Sequence, residues 1–198
     1  MKKNLILISI QLLILLSCGE ATGEGTATDG LSSSQHRIFI SSASYNGNLG
    51  GLSGADSKCQ ALAEAQGLER TYKAFMGSGA SSLKSRFNLV GGVFNFNGSG
   101  EPIKITDLGV DLLNTDQPKD LINSIEFDET GNSVNSSAWT GSDSEGEIST
   151  SVSCNNWTDD SSGQNGTVGD NSRVTGFYLE DPPSQPCNLT YRIYCVSI

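Results

Sequence analysis

The segment 138–198 constrains the fold more than any other, because it holds both tryptophans and three of the five cysteines. It is also rich in Gly, Ser and Asn, which favour turns and bury little apolar surface. Two large rings and a group of sulfur atoms must therefore provide most of its order. These residues are Trp139, Trp157, Cys154, Cys187 and Cys195. We interpret the segment as the disulfide-closed half of one extracellular domain.

The first residues predict export. Lys2 and Lys3 precede an apolar run from Leu5 to Leu16, which is shorter than the roughly 20 residues that a membrane-spanning helix needs. The run ends at Leu15-Leu16-Ser17-Cys18, which resembles the lipobox of bacterial lipoproteins, where the cysteine sulfur receives a diacylglycerol. We predict a signal peptide at residues 1–17 and a lipid anchor on Cys18. A plain secretory signal with an incidental cysteine is the alternative.

Composition divides the remaining chain into a tether and a domain. Residues 18–34 are Gly, Ser, Thr, Ala and acid with almost no apolar content, which predicts a flexible tether after the lipid. Residues 35–198 are long enough to form one domain with its own core.

The other four cysteines are Cys59, Cys154, Cys187 and Cys195. In an exported chain they are expected to form disulfides, and four cysteines allow three pairings. No Cys-x-x-Cys pair occurs and His36 is the only histidine, so a structural zinc site has no ligand set. We therefore predict no metal and no cofactor.

The charge of the chain excludes one class of partner. It carries 22 acidic and 12 basic residues, a formal charge of −10. A protein that binds nucleic acid needs a positive face, which displaces counterions from the phosphates. We therefore do not expect this acidic chain to bind nucleic acid.

Local patterns predict an α+β domain, because one early helix and several short strands occur without βαβ alternation. The helix is predicted to begin with Ser53 as N-cap and Asp56 in its first turn, and to end at Gly67. Strands are predicted at 37–41, 71–76, 93–97 and 102–105, a short helix at 81–87, and an acidic irregular loop at 107–135.

Two separated blocks of residues resemble a known family. The first is Gly50–Asp56 with Cys59, followed by Gly67–Phe75. The second contains Trp139, Gly141, Asp143, Gly146, Cys154, Trp157, Gly163, Cys187, Tyr194 and Cys195. Together they resemble endostatin, a collagen-derived domain with a C-type-lectin-like fold, over residues 37–198. With the lipobox, the chain is similar to the leptospiral endostatin-like surface lipoproteins.

This resemblance implies a nested disulfide pairing, Cys59 with Cys195 and Cys154 with Cys187. It also implies a non-catalytic surface lipoprotein that is anchored in the outer membrane and binds host macromolecules. Laminin, fibronectin, factor H and plasminogen are the expected class of partner. The alternatives are a calcium-dependent lectin and a structural component of the envelope. The zinc and heparin sites of endostatin are not expected, because their histidines and arginines are missing here.

Candidate chemistry is sparse. His36 borders the tether and is expected to be solvated rather than a general base, so we predict no catalytic residue. Carboxylates such as Asp159 and Asp160 are expected to be solvated surface. Trp139 and Trp157 are predicted to belong to the core, with sugar stacking as the alternative. Recognition is expected in polar loops that the sequence does not locate.

Overall fold

The computed structural model describes residues 29–113, 120–149 and 153–198. The predicted signal peptide, the predicted lipidation site Cys18 and the tether as far as residue 28 lie outside these residues.

Two central strands are buried on both faces, and their side chains alternate between two apolar clusters. β1 (His36–Ile40) pairs antiparallel with β9 (Arg192–Ser197), with Phe39 opposite Cys195. Phe39 and Cys195 point into one cluster, whereas their neighbours along each strand point into the other. The sheet is therefore the middle layer of the domain, with a separate core on each face.

Seven of the described strands form one mixed sheet in the order β4-β3-β1-β9-β5-β7, and β2 also pairs with β9. The β1·β3 and β5·β9 pairs are parallel, and the others are antiparallel. The remaining strands are β2 (Tyr72–Ala74), β3 (Val93–Phe96), β4 (Pro102–Thr106), β5 (Ser137–Trp139), β6 (Asn165–Gly166), β7 (Val168–Asp170) and β8 (Gln185–Pro186). β6 and β8 form a separate two-stranded sheet.

The main helix, α1 (Gly51–Ala65), begins earlier than predicted. Gly50, in a left-handed conformation, is its N-cap, so the prediction of Ser53 as N-cap is wrong. The chain before α1 folds back over its first turn: a Cβ on Gly54 would lie 2.2 Å from the carbonyl oxygen of Leu49. The predicted end at Gly67 is confirmed, because Gly67 has a φ of 67° and its amide bonds the carbonyl of Glu64.

Asp56 does not interact with the helix dipole as predicted, and instead joins α1 to its neighbours. Its carboxylate accepts hydrogen bonds from the amide of Ala74 at 2.9 Å and from Arg86 at 2.7 and 3.0 Å. Arg86 ends the predicted short helix, α2 (Leu83–Arg86), which is confirmed with Ser82 as N-cap. The strands predicted at 93–97 and 102–105 are also confirmed, as β3 and β4, which pair antiparallel. In the part of the chain that the structure describes, no helix is long and apolar enough to cross a membrane.

The acidic segment 107–135 is largely irregular in its described part, as predicted, but it also packs against the core. It contains a 3-10 helix, Gly109–Leu113, and supplies buried side chains to the core cluster that includes Ile38 and Ile40. These side chains are Leu112, Leu113, Leu121, Ile125 and Val134. The sequence did not indicate this burial, because the apolar residues are spaced irregularly, without the period of a helix or strand.

Two buried asparagines hold this segment against the sheet. The Asn95 amide donates to the carbonyls of Ile38 and Phe127, and its oxygen accepts the amide of Phe127. Asn171 likewise donates to the carbonyls of Ile125 and Val134. These side chains replace the backbone partners that an irregular segment lacks.

The residues just before β1 also contact the domain. Leu31 is buried, and Asp29 forms an ion pair with Arg70 at 2.9 Å. Arg70 further donates to the carbonyls of Gln35, Leu31 and Ser32. The packed part of the chain therefore reaches at least to Asp29, six residues before the predicted domain start at Gln35.

Candidate functional site

The four cysteines of the domain form two disulfides. Cys59 of α1 is joined to Cys195 of β9, and Cys154 is joined to Cys187. This is the pairing that the resemblance implies. All four cysteines are fully buried in the cluster beneath α1, so they are in the interior and are not available as nucleophiles.

Both tryptophans lie in the same cluster and are fully buried. The indole N–H of Trp139 donates to the carbonyl of Tyr45 at 2.8 Å, and that of Trp157 donates to the carbonyl of Gly77 at 2.7 Å. Their ring centroids are 5.7 Å apart. A buried ring with its donor satisfied has no free face for a sugar, so the stacking alternative has no support in this geometry.

One cysteine of the inner disulfide, Cys154, begins a left-handed turn. Residues Cys154–Trp157 form a single helical turn in which φ is between 48° and 65° at all four positions. Such a run of left-handed residues is rare, and Asn is among the few non-glycine residues that tolerate it. The Asn155-Asn156 pair was the signal in the sequence that could have indicated this turn. The turn places Trp157 in the core and leaves both asparagines exposed.

His36 is buried, so the prediction of a solvated histidine is wrong. It is the first residue of β1, and its Nδ1 lies 2.9 Å from the carbonyl oxygen of Ser197 in the last strand. Burial lowers the pKa of His36, opposed by the Ser197 hydrogen bond and assisted by the charge of Arg70.

Within the described ranges, no three His, Cys, Asp or Glu side chains are grouped so that they could hold a metal ion. Two of the acidic residues illustrate how carboxylates have local hydrogen-bond partners instead. Asp159 accepts the amide of Ser161 at 2.7 Å. Hydrogen bonds from the Ser161 hydroxyl and from this amide hold the pKa of the Asp159 carboxyl below its ordinary value. Asp128 closes its own turn by accepting the amides of Thr130 and Asn132.

The surface feature best suited to a partner is a cavity of about 320 Å³, which we call the Phe177 pocket. It is formed by loops that are far apart in the sequence. Its described lining residues are Asp120, Ser144, Thr175, Gly176, Phe177, Glu180 and Pro182. Phe177 lies in a 3-10 turn, Gly176–Tyr178, and is 51% exposed, although most large apolar side chains of the domain are buried.

Two acidic residues line the same pocket as Phe177. Asp120 and Glu180 line the pocket, and no Lys or Arg occurs among its described lining residues. Glu180 accepts the amide of Ser144 at 3.2 Å, which holds the two loops together. An apolar face with a negative rim suits a Lys or Arg side chain, whose aliphatic stem packs on the ring while its charge meets a carboxylate. The sequence did not locate this pocket, because its residues meet only in the folded chain.

The fold and the site define a disulfide-bonded α+β domain with a buried tryptophan pair and an acidic apolar pocket. The family model DUF1554, described as a protein of unknown function, matches residues 42–174, about two thirds of the chain. The chain belongs to this family. No curated protein matches the chain.

Proposed function

We propose that this chain is a non-catalytic, surface-exposed lipoprotein that binds host macromolecules, and that the Phe177 pocket is its contact site. The observation that supports this most directly is the half-exposed Phe177 ring beside Asp120 and Glu180. The formal charge of −10 has the same sign as this rim and would attract a basic patch on a partner. The expected partners are laminin, fibronectin, factor H and plasminogen, and this choice follows from the resemblance alone.

We further propose that the domain has the endostatin-like variant of the C-type-lectin-like fold. Three features support this: the first and last strands of the domain are adjacent, the early helix is joined to the last strand by Cys59–Cys195, and a second disulfide is nested within the first. In this arrangement the loops can vary while the core is held by disulfides.

A lipid on Cys18 is part of the same proposal and would hold the domain at the outer membrane. The domain's chemistry supports binding rather than catalysis. The four cysteines of the domain are in disulfides, and the only imidazole of the chain is buried against a backbone carbonyl. The proposal requires neither a metal nor a cofactor.

The test is a binding panel with the four candidate partners immobilised, measured across a salt series. We expect saturable binding to at least one of them, and affinity that falls as salt rises, because an acidic surface meets a basic one. Phe177→Ala and Glu180→Gln should each weaken that binding, by about tenfold for the ring, since removing a central aromatic contact costs more than about 1 kcal/mol.

Matched controls lie elsewhere on the surface. Leu189 is 41% exposed and Glu101 is exposed, so Leu189→Ala and Glu101→Gln remove the same kinds of groups outside the pocket and should leave affinity unchanged. If none of the four partners binds saturably, the proposed function is contradicted. Binding that survives both pocket variants would contradict the site. Binding that is lost with a calcium chelator would favour a calcium-dependent lectin.

A further inference from the structure

A second cavity, which we call the Arg37 pocket, lies between the start of β1, the end of β3 and the segment after α1. Its volume is about 320 Å³. The described residues that line it are Asp29, Arg37, Gln66, Gly67, Leu68, Glu69, Arg70, Phe96 and Gly100. None of them lines the Phe177 pocket, so this site is separate from the proposed contact surface.

Arg37 is the unusual residue of this cavity. It is only 8% exposed, and its guanidinium carbon lies 4.4 Å from the centre of the Phe96 ring. Its Nε is buried and has no hydrogen-bond partner among the described residues. A buried charged donor normally has an acceptor, because leaving it unpaired costs the full desolvation penalty of the group.

Arg70, on the same cavity, shows the ordinary arrangement. Its three nitrogen atoms donate to the carboxylate of Asp29 and to backbone carbonyls of the segment before β1. The Asp29 carboxylate in turn accepts the amide of Leu31. Arg70 and Asp29 therefore form an ion pair in the wall of the cavity. Arg37 is also attracted by the charge of Asp29, but it forms no ion pair of its own among the described residues.

We propose that the Arg37 pocket binds a small carboxylate, which accepts hydrogen bonds from the Arg37 guanidinium. A planar guanidinium matches a carboxylate in charge and in the spacing of its donors. The volume lies at the small end of the range of about 300–1,000 Å³ for ligand sites, which suits a compact ligand. The exposed side chain of Glu69 at the rim disfavours additional negative charge, so a monocarboxylate is preferred to a polyanion. The carboxylate belongs either to a free organic acid or to the C-terminus of a polypeptide.

The test is a titration of the purified protein followed by ¹H–¹⁵N NMR of the arginine Nε groups. Acetate and pyruvate represent free organic acids. N-acetylglycine represents the C-terminus of a polypeptide, and its amide, which lacks the carboxylate, is the control. We expect millimolar acids to shift the Arg37 Nε signal saturably, whereas the amide has no effect. Stronger binding of N-acetylglycine than of acetate and pyruvate would identify the polypeptide source, and the reverse would identify free acids.

Three variants test whether the ligand contacts Arg37. Arg37→Met keeps a stem on the Phe96 ring but removes the charge, so it should weaken binding at least tenfold. Because the unpartnered charge is lost, this variant should melt no lower than the original protein in the absence of ligand. Glu69→Gln should tighten binding about two- to fivefold, the range expected for an exposed charge.

Arg173→Met is the matched control, because the Arg173 side chain is exposed and paired with Asp170 on another part of the surface. It should bind the acids as the original protein does. An Arg37 signal that does not move with any acid would overturn the proposal, as would a larger response to inorganic phosphate than to every carboxylate. Unchanged affinity in Arg37→Met would also overturn it. These outcomes are independent of the macromolecular panel, which tests the Phe177 pocket.

Discussion

At the scale of single residues, the hydrogen bond of His36 determines where its proton lies. A carbonyl oxygen accepts only, so the Nδ1 that faces Ser197 carries the proton and donates it. Nε2 is then the basic nitrogen, and it is buried with no partner among the residues that the structure describes. A second proton would place a charge in this interior, which is why burial lowers the pKa of His36.

This lowered pKa predicts a pH dependence of stability. Below about pH 6.5, the usual pKa of an unfolded histidine, the unfolded chain binds a proton that the folded chain does not. The free energy of unfolding should therefore decrease as pH falls from 7 towards 5, by up to about 1.4 kcal/mol per pH unit. Denaturant unfolding at each pH measures this slope.

His36→Asn is the matched variant, since its amide can still donate to the Ser197 carbonyl but does not titrate. His36 is the only histidine of the chain, so the slope between pH 5 and 7 should largely disappear in this variant. A slope of equal size in both proteins would show that other groups cause it.

At the scale of elements, the left-handed turn Cys154–Trp157 is the most demanding piece of backbone. Asn155 has a φ of 52° and an exposed side chain, so its conformation can be tested without disturbing the core. A β-branched side chain is strongly disfavoured at positive φ, whereas glycine is not. Asn155→Val should therefore lower the free energy of unfolding by about 1–2 kcal/mol, and Asn155→Gly should preserve or raise it.

Chemical denaturation of these variants measures the difference. Asn188→Val is the control, because Asn188 is exposed and is not among the positive-φ residues of the described chain. It should change stability much less than Asn155→Val. Equal effects at the two positions would mean that the loss of an exposed asparagine, and not the backbone conformation, decides the result.

The elements that the sequence predicted are those with a local signal. The β3-β4 hairpin follows from two alternating runs around a glycine turn, and the end of α1 follows from Gly67. The start of α1 was misplaced because Ser53 is a good N-cap by residue type, whereas Gly50, in a left-handed conformation, is the N-cap. The carbonyl of Leu49 lies so close to Gly54 that a side chain at this position would clash with it.

At the scale of the whole molecule, the two pockets show a further limit of sequence reasoning. The residues of the Phe177 pocket come from three loops between positions 120 and 182, and those of the Arg37 pocket from positions 29 to 100. The exposed or unpaired side chains of these pockets do not recur at a regular sequence spacing. The sequence therefore does not distinguish these side chains from ordinary surface or core residues. The charge of −10 indicated that a partner should carry positive charge. The location of the contact site, in contrast, depends on tertiary structure.

The two nested disulfides close loops of different length, which predicts how much stability the domain loses when each of them is removed. The outer bridge closes a loop with a sequence separation of 136, and the inner one closes 33. On the chain-entropy model, closing these loops destabilises the unfolded state by about 5 and about 3.7 kcal/mol respectively. The outer bridge restricts more of the unfolded chain because it joins α1 to the last strand.

The double variants Cys59→Ala/Cys195→Ala and Cys154→Ala/Cys187→Ala test this order by denaturant unfolding. We expect the first to lose more stability than the second, by about 1 kcal/mol, because both pairs are fully buried and leave similar cavities. Only the inner pair adjoins the left-handed turn, since Cys154 is its first residue. In the variant without the inner bridge, Asn155→Val should therefore cost less than in the original protein, as the turn is freed to relax. A larger loss from the inner pair, together with an undiminished cost of Asn155→Val, would show that native packing around the turn, and not loop closure, governs the stability of the domain.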